Sequence, residues 1–449
     1  MSSLALRRLG GASRSKGKKK AKTRSRAAAV SAEYSLLLTA TLCLLALGAV
    51  MIFSASSTTR ILQNGGLSDS AFYLKRTLLF GAVGLVIMHF TARTKGGLTL
   101  VRQATPLILA GSIFLLLVVL AAGNTVNGAS RWIGSGFIQI QLSEITKVAL
   151  ILYAADMLAR KPKRARSLEG LMPILLVVGG CALLMMMQPD MGTTMVTTFA
   201  VGATLIAAGA RPADLGKLAI GIAVLALLLT IVEPYRMERL VGFLNPGSDV
   251  HGAGFQAAQA KIALGSGGFE GVGLGNGVQK AFYLPEAHTD MISAVIGEEF
   301  GLIGIVGVVG LFGMLGFAGL KIAQKARDNY GKILVAGLTS LILVQAVINL
   351  YAVMGLAPLT GVPLPFVSYG LSSLLTTLFA VGLILNVARG GTAAAARAST
   401  GSRAGKLRVV DGGRVPAAER RRSSSARRAK SGGGGGRNRG ARDSRDRRR

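Results

Sequence analysis

The sequence predicts an all-α polytopic membrane protein with ten transmembrane helices, one large extracellular loop and both termini in the cytoplasm. Three observations predict this fold class: the apolar composition, the length of the apolar segments, and the placement of Lys and Arg between them. Of 449 residues, 51% are hydrophobic and only 16% are charged. Soluble globular domains carry about 25% charged residues, so this composition excludes an ordinary soluble core.

Ten apolar segments are candidates for membrane crossing, because a hydrocarbon core about 30 Å thick needs about 20 apolar residues of helix. The second, fourth and fifth segments are on the short side, and the eighth is long enough to tilt. In chain order the segments are residues 35–55, 77–92, 105–123, 142–159, 171–188, 191–210, 214–232, 291–320, 333–355 and 366–388.

The basic residues between these segments test the prediction independently, because Lys and Arg are enriched in cytoplasmic loops. If the N-terminus lies inside, an inner connection follows each even-numbered segment. The short outer connections at 188–191 and 355–366 contain no Lys or Arg. The inner connections contain Arg93, Lys95, Arg102, Arg160, Lys161, Lys163, Arg164, Arg166, Arg211, Lys217, Lys321, Lys325, Arg327 and Lys332. Both termini are therefore expected in the cytoplasm.

The chain is expected to have three parts: a basic tail at 1–34, a membrane domain at 35–388, and a second basic tail at 389–449. The tails are low-complexity segments that cannot bury enough apolar surface to fold alone. Nucleic-acid binding is one interpretation of their charge. Attraction to anionic lipid of the inner leaflet, or to an acidic protein, is favoured for segments tethered at that surface.

One connection, residues 233–290, is far longer than the others and is expected outside the cell. Long connections without low complexity are usually functional. This loop contains "GAGFQAAQAKIALGSGGFEGVGLGNGVQK", a weakly amphipathic stretch followed by closely spaced glycines. Such glycines permit tight turns and close backbone approach. Phosphate binding is the alternative interpretation, and plain loop geometry is favoured.

Two charged residues in the fourth apolar segment, Glu144 and Lys147, are three positions apart and share a helix face. Ionisable groups within a membrane are costly, so each one is a functional hypothesis by default. A mutual ion pair that satisfies both charges is the structural interpretation. An active-site role is the other, and one pair can serve both.

Asp190, in the stretch "QPDMGTT", lies in a tight outer turn between two predicted helices. Its carboxylate can accept backbone N–H bonds from the helix that follows. Capping and turn formation are therefore the favoured roles.

The end of the outer loop, "LPEAHTD", places Glu286, His288 and Asp290 together at the entrance of an apolar helix. Thr289 or Asp290 can cap that helix, and an Asp at such a place is usually only a cap. The density of ionisable groups instead favours a catalytic base, Asp290 or Glu286, able to reach a substrate hydroxyl. Glu298 and Glu299 follow two turns later, and one of them is expected to face the bundle.

Four motifs, in order, resemble signatures of the SEDS family (shape, elongation, division and sporulation), which comprises ten-helix bacterial proteins such as FtsW and RodA. The wording "LPEAHTD" with "GVGLGN" is more similar to the FtsW branch. Two departures affect local packing: Leu142 stands where the family usually has proline, and Leu371 where it has glycine. The motifs are "RWIGSGFIQIQLSEITK", "QPDMGTT", "GVGLGNGVQKAFYLPEAHTDMISAVIGEEFGLIG" and "GLAPLTGVPLPFVSYG".

The resemblance implies a peptidoglycan glycosyltransferase that uses lipid II and inverts the anomeric configuration. In such enzymes the Asp of the "HTD" motif is essential for polymerisation, and it corresponds to Asp290. The Glu and Lys of the "SE–xx–K" motif correspond to Glu144 and Lys147, which are expected near Asp290.

Further expectations concern the supporting groups of such a site. Glu286, His288 and Asp190 are expected to support the base or the substrate. Lys147, Arg131 and a divalent cation, Mg or Mn, are expected to neutralise the diphosphate of the leaving lipid. The metal ligands themselves are unknown.

The resemblance also implies partners and a location: a class B penicillin-binding protein as transpeptidase, other divisome proteins, and the bacterial plasma membrane at the division septum. Two rival functions stay open. A lipid II flippase would place polar groups near the bilayer midplane within inverted repeats, and no clear internal repeat is found. A non-catalytic division scaffold would use the basic tails to gather partners.

Overall fold

The computed structural model describes residues 32–56, 71–94, 96–126, 129–134, 139–232, 234–244, 253–281, 283–285 and 287–404. The chain divides into two units, Met1–Ala396 and Arg397–Arg449. In the second unit, residues 397–404 are described and are helical. The predicted tail 1–34 lies almost entirely outside the described residues, as does most of 389–449.

The described part of the chain is mostly helical. A short 3₁₀ helix, Pro162–Arg166, precedes the fifth helix. The helices are α1 (Ala32–Ser56), α2 (Phe72–Arg93), α3 (Gly97–Ala122), α4 (Leu142–Arg160), α5 (Leu168–Met187), α6 (Met191–Ala207), α7 (Pro212–Val232), α8 (Pro234–Leu244), α9 (Ala253–Gly267), α10 (Ile292–Lys325), α11 (Asn329–Val353) and α12 (Leu371–Ala404).

Each of the ten predicted segments overlaps one of the helices α1–α7 and α10–α12. Among the residues described, seven helices are long and apolar enough to cross a membrane: α1, α2, α3, α5, α10, α11 and α12. A helical, multi-pass membrane class is therefore confirmed. The tenth segment was placed too early, because α12 begins at Leu371. Residues 366–370 form a turn instead, in which Phe366 has a positive φ of 66°.

The bundle is organised around α11, which packs against α4, α6 and α10. In its most apolar window 78% of the residues are buried, compared with 22% in α2. Leu334, Leu338 and Ile342 lie on the buried side of α11. Peripheral helices instead expose large apolar side chains such as Phe90 and Leu107, as helices in contact with lipid do.

A small antiparallel sheet, absent from the predicted all-α fold, connects α3 to α4. It consists of β1 (Asn124–Val126), β2 (Ala129–Ile133) and β3 (Ile140–Gln141), in the order β1-β2-β3. Trp132 pairs with Asn124 on one side and with Gln141 on the other. The strands are too short for an alternating pattern to be detected in the sequence. Their pairing brings the chain to the first residue of α4.

The large loop at 233–290, which the sequence predicted to lie outside the cell, contains two helices, α8 and α9, where only a weakly amphipathic stretch was predicted. Between α9 and α10 the described residues lie in turns and irregular segments. The expected cap at the start of α10 was wrong. The N-cap position is Met291, without a side-chain hydrogen bond, so neither Thr289 nor Asp290 caps this helix. Thr289 instead donates to Oδ1 of Asp290 at 3.2 Å.

Candidate active site

Asp290 lies at the junction of the outer loop and α10, and its backbone is held by Asn349 of α11. Asn349 Nδ2 donates to the carbonyl of Asp290 at 2.7 Å and to that of Val362 at 2.8 Å. Its Oδ1 accepts a hydrogen bond from Ser293 Oγ at 2.9 Å. Asn349 is 2% exposed. One buried amide therefore joins α10, α11 and the segment that precedes α12, and unsatisfied carbonyls at this depth would be costly.

The segment 360–364, here called the strap, passes beside the carboxylate of Asp290. A Cβ atom built on Gly361 would lie 3.8 Å from Oδ2 of Asp290, and Gly361 has a φ of +68° that favours glycine. On the other side, a Cβ on Gly192 of α6 would collide with the carbonyl oxygen of Thr360. The strap therefore lies between the first turn of α6 and Asp290.

Gln345, one helical turn before Asn349 on α11, holds the next residue of the strap. Its Nε2 donates to the carbonyl of Pro363 at 3.0 Å and to Ser373 Oγ at 3.2 Å. Its Oε1 accepts from Lys147 Nζ at 2.9 Å. Residues four apart share a helix face, so two amide side chains of α11 hold the strap from the same side.

The predicted pair of Glu144 and Lys147 is formed. Lys147 Nζ lies 2.8 Å from Glu144 Oε1, and the two side chains are 2% and 3% exposed. The pair reaches the strap through Gln345 and does not meet the Asp290 carboxylate in any described contact. Two buried charges are tolerated because each satisfies the other. Lys147 therefore contacts the residue that holds the strap, and through it is linked to the surroundings of Asp290.

Asp190 caps α6, as predicted, and does more. Its Oδ1 accepts from the backbone N–H of Thr193 at 3.2 Å. Its Oδ2 accepts from Gln141 Nε2 at 3.1 Å and from Ser143 Oγ at 2.9 Å. Arg131 Nη1 lies 3.8 Å from Oδ1. The carboxylate therefore joins the small sheet and the starts of α4 and α6.

His288, two residues before Asp290, lies against aromatic rings. Its ring centroid is 4.3 Å from that of Tyr73 on α2 and 5.6 Å from that of Tyr369. The carbonyl of His288 accepts a hydrogen bond from the backbone N–H of Tyr369 at 2.9 Å. These contacts hold the segment before Asp290 against α2 and the turn before α12. Glu286, the other predicted candidate for the base, lies outside the described residues.

Both carboxylates of the "GEE" stretch are buried, not one as expected: Glu298 is 2% exposed and Glu299 is 1% exposed. Glu298 Oε1 accepts from the backbone N–H groups of Val278 and Gln279, at 2.7 and 3.1 Å. These two N–H groups of the glycine-rich stretch therefore bind a carboxylate of the protein itself. The favoured interpretation, loop geometry, fits this arrangement better than phosphate binding.

Three residues that the sequence reasoning did not connect form a buried cluster beside this loop. Lys280 Nζ pairs with Glu299, and Ser54 Oγ of α1 donates to Glu299 Oε1 at 2.6 Å. Lys280 is 2% exposed. The available signal was a lone lysine and a "GEE" stretch in a poorly charged domain, since buried ionisable groups require partners.

Among the described residues, no group of three or more His, Cys, Asp or Glu side chains is arranged to hold a metal ion. A protein-only metal site is therefore not formed by this part of the chain. Mg²⁺ commonly binds through one or two carboxylates together with substrate phosphates, and Asp290 is compatible with that arrangement.

Comparisons with known proteins assign this architecture to a family. The probable peptidoglycan glycosyltransferase FtsW of Trichlorobacter lovleyi is 42% identical over 362 residues, which cover 80% of this chain and 94% of that protein. Stage V sporulation protein E of Bacillus subtilis is 40% identical over 358 residues, covering 79% of this chain and 96% of that protein.

Solved structures give the same result. A chain of a peptidoglycan synthase complex that coordinates polymerisation and crosslinking matches with a TM-score of 0.64 and 27% identity, covering 79% of this chain and 97% of that chain. The rod shape determining protein RodA of Thermus thermophilus matches with a TM-score of 0.58 and 26% identity, covering 79% and 95%. The family model for FtsW, RodA and SpoVE, described as cell cycle protein, matches residues 34–392. The chain belongs to the FtsW/RodA/SpoVE family.

Proposed function

We propose that this protein is a peptidoglycan glycosyltransferase that polymerises lipid II into β-1,4 glycan strands during septal cell-wall synthesis. The observation that carries the proposal is the setting of Asp290. Its carboxylate is partly buried, its backbone is held by a buried amide, and the strap passes beside it. The relatives named as probable peptidoglycan glycosyltransferases support the reaction class.

In the proposed reaction, the 4-hydroxyl of a GlcNAc on one lipid-linked disaccharide attacks the anomeric carbon at the lipid-linked end of another strand. The bond between that carbon and the diphosphate oxygen breaks, and undecaprenyl diphosphate leaves with the bonding electrons. The α-linkage becomes β by inversion. Asp290 accepts the proton of the attacking hydroxyl, as a general base must within hydrogen-bond reach.

The leaving diphosphate requires positive charge, because two phosphates carry the developing negative charge. Of the two predicted cations, we assign this charge to Arg131. Its side chain is 19% exposed, and its Nε is buried without a hydrogen-bond partner among the described residues. Lys147 donates hydrogen bonds to Glu144 and Gln345. Its proposed role is therefore to hold Gln345 and the strap in place, not to bind the diphosphate.

A divalent cation, Mg or Mn, fits this site only as an ion shared with the substrate phosphates. Asp290 would be its protein ligand. When bound, the cation would supply additional neutralisation of the diphosphate.

The topology completes the proposal: ten membrane crossings with both termini in the cytoplasm and the loop 233–290 outside. Both lipid-linked substrates would then meet Asp290 at the outer boundary of the membrane. A class B penicillin-binding protein is the proposed transpeptidase partner. The structural similarity to a chain of a peptidoglycan synthase complex supports that pairing. Other divisome proteins at the septum, and anionic lipid or an acidic protein at the basic tails, complete the proposed partners.

The proposal is tested by polymerisation of lipid II with purified full-length protein and its transpeptidase. Glu270→Ala is the matched control, because Glu270 is an exposed carboxylate of the same loop whose side chain makes no hydrogen bond or ion pair among the described residues. Wild type and Glu270→Ala should polymerise lipid II, whereas Asp290→Ala should lose at least about 100-fold in rate. Equal rates for Asp290→Ala and wild type would refute the assignment of the base.

The rival functions have their own readouts. Transfer of labelled lipid II across vesicles that contain this protein as their only candidate flippase, with no polymerisation, would favour transport. Normal division of cells that carry Asp290→Ala would favour a scaffold.

A further inference from the structure

Helix α10 is broken at Gly301, its tenth residue, where φ is 61° and ψ is −155°. In an unbroken α-helix, each N–H donates to the carbonyl four residues earlier. The N–H groups of Leu302 and Ile303 would therefore bind the carbonyls of Glu298 and Glu299. They donate instead to the carbonyls of Gly268 and Phe269, at 3.0 and 3.3 Å.

The two carbonyls released by the break are also satisfied by the loop. The carbonyl of Glu298 accepts from Val272 N–H at 2.9 Å, and that of Glu299 accepts from Gly273 N–H at 3.0 Å. Residues 267–280, here called the glycine loop, thus replace two helical hydrogen bonds with four bonds between loop and helix. The break is therefore a specific contact between the glycine loop and α10, because every backbone group freed from the helix finds a partner in the loop.

This close approach depends on glycine at several facing positions. A Cβ on Gly301 would stand 2.5 Å from the nitrogen of Gly271 and from the carbonyl oxygen of Phe269. A Cβ on Gly271 would collide with the carbonyl of Glu299, and one on Gly267 with the carbonyl of Gly297. Any side chain at these positions would force the loop and the helix apart.

Side chains fasten the same interface. Lys280 Nζ binds Glu299, Ser54 Oγ at 2.9 Å and the carbonyl of Gly275 at 2.8 Å. Glu298 meanwhile holds the backbone of the loop through Val278 and its neighbour. A buried ion pair with this many hydrogen bonds specifies one arrangement, because removing either charge leaves the other uncompensated.

The ion pair closes a segment of the chain that has Asp290 near its middle: Lys280 is ten positions before Asp290, and Glu299 is nine positions after it. Resting on the proposed function, we propose that the glycine loop positions Asp290 for glycosyl transfer, with Lys280 and Gly301 as positioning residues. Neither touches the reacting atoms. The contacts of Lys280 and Gly301 keep the two ends of the segment together, while Asn349 holds its middle.

The alternative state is a continuous α10 with the glycine loop released. In that state Leu302 and Ile303 donate within the helix, and Asp290 keeps its link to Asn349 but loses the closed segment. Ala at position 301 favours this state for two reasons. It forms helix more readily than Gly, and its Cβ would collide with the glycine loop.

The test compares two variants with two matched controls, in full-length protein with its transpeptidase. The variants are Gly301→Ala and Lys280→Met. Gly310→Ala is the control for the first, because Gly310 lies on the same helix and a Cβ there would meet no neighbouring atom within 4 Å. Lys325→Met is the control for the second, because it breaks an ion pair with Glu33 at the other end of α10.

Two readouts are measured: kcat and KM for lipid II, and hydrogen exchange of backbone amides. In both variants kcat should fall at least about 10-fold while KM changes less than about 3-fold, because misplacing a catalytic group weakens the chemical step more than binding. Amides at 267–273 and 291–296 should exchange faster, whereas those of Leu302 and Ile303 should stay protected because they find partners within the continuous helix. Both controls should match wild type in kcat and at these amides.

The proposal is overturned if kcat is unchanged in both variants, or if kcat falls while exchange at 291–296 stays as in wild type. Should Lys280→Met not fold, the uncharged pair Lys280→Met with Glu299→Gln gives the same comparison without a buried lone charge. Failure of wild type itself to polymerise would refute the proposed function. Hydrogen exchange needs no substrate, so slow exchange at 291–296 in both variants would refute the positioning role separately.

Discussion

Asn349 holds the backbone carbonyl of Asp290 through a 2.7 Å hydrogen bond from Nδ2. Asn349 belongs to α11, the helix around which the bundle packs, whereas Asp290 ends the outer loop. The position of the proposed base is therefore set by a buried helix in the interior of the bundle. A group that must lie within hydrogen-bond reach of a substrate hydroxyl benefits from such a rigid support.

Replacing Asn349 with Leu should reduce both stability and activity. The substitution leaves the carbonyls of Asp290 and Val362 and the hydroxyl of Ser293 without their partner. A buried polar group without a partner costs about 1–3 kcal/mol. Thermal unfolding of the purified protein in detergent, and the rate of lipid II polymerisation, measure the two effects. Val347→Ala is the control, because this α11 side chain is exposed. Similar unfolding temperatures for the two variants would contradict the role given to Asn349.

Breaking the buried pair of Glu144 and Lys147 from one side should be worse than removing it entirely. Lys147→Met leaves a buried carboxylate without its cation, and such changes typically cost about 3–5 kcal/mol. The double variant Glu144→Gln with Lys147→Met removes both charges and should recover much of that stability. Unfolding free energies of the three proteins test the difference. A double variant less stable than Lys147→Met alone would show that the pair is not the relevant unit.

Gly192→Ala should displace the strap. The added Cβ would collide with the carbonyl oxygen of Thr360 and lie 2.6 Å from Cγ2 of Val362. Overpacking of this kind typically costs about 1–3 kcal/mol, and the displaced strap should lower the polymerisation rate. Gly202→Ala, on the same helix, is the control, because a Cβ there meets no atom within 4 Å. Equal behaviour of the two variants would show that the strap does not need this contact.

Asp190→Ala and Asp190→Asn should differ. Asn retains an oxygen for the N-cap of α6, whereas Ala removes the cap and also the acceptor for Gln141 and Ser143. Loss of an N-cap costs about 0.5–2 kcal/mol, so only the Ala variant should unfold at a clearly lower temperature. The polymerisation rate of Asp190→Asn then reports the effect of its charge on Arg131. Equal destabilisation by Asn and Ala would mean that capping is not the main stabilising role.

The sequence was most informative where the controlling interaction is local. Apolar length predicted the helices, because a membrane segment must satisfy its backbone internally. The cap by Asp190 and the pair of Glu144 and Lys147 depend on residues three positions apart, so spacing alone predicted them. The features around Asp290 depend instead on distant residues. Asn349 is 59 positions away, and no spacing rule connects the two.

Two errors have the same physical origin. Thr289 or Asp290 was a candidate cap of α10, but the helix begins after Met291, and the carbonyl of Asp290 is held by Asn349. The small sheet was missed because its strands are stabilised by pairing across turns and not by their own pattern. A polar signal was nevertheless present in the sequence: Gln345 and Asn349 are four apart in an otherwise apolar helix, and both hold the strap.

The exchange of backbone partners at Gly301 also restricts how this chain can change in length during evolution. Residues 268 and 269 bind 302 and 303, and residues 272 and 273 bind 298 and 299, so an insertion within either stretch would break the spacing between these two pairs of bonds. Neither stretch can gain or lose a residue alone. When sequences of related proteins are aligned, gaps should therefore avoid these two stretches, although they are about thirty positions apart in the chain.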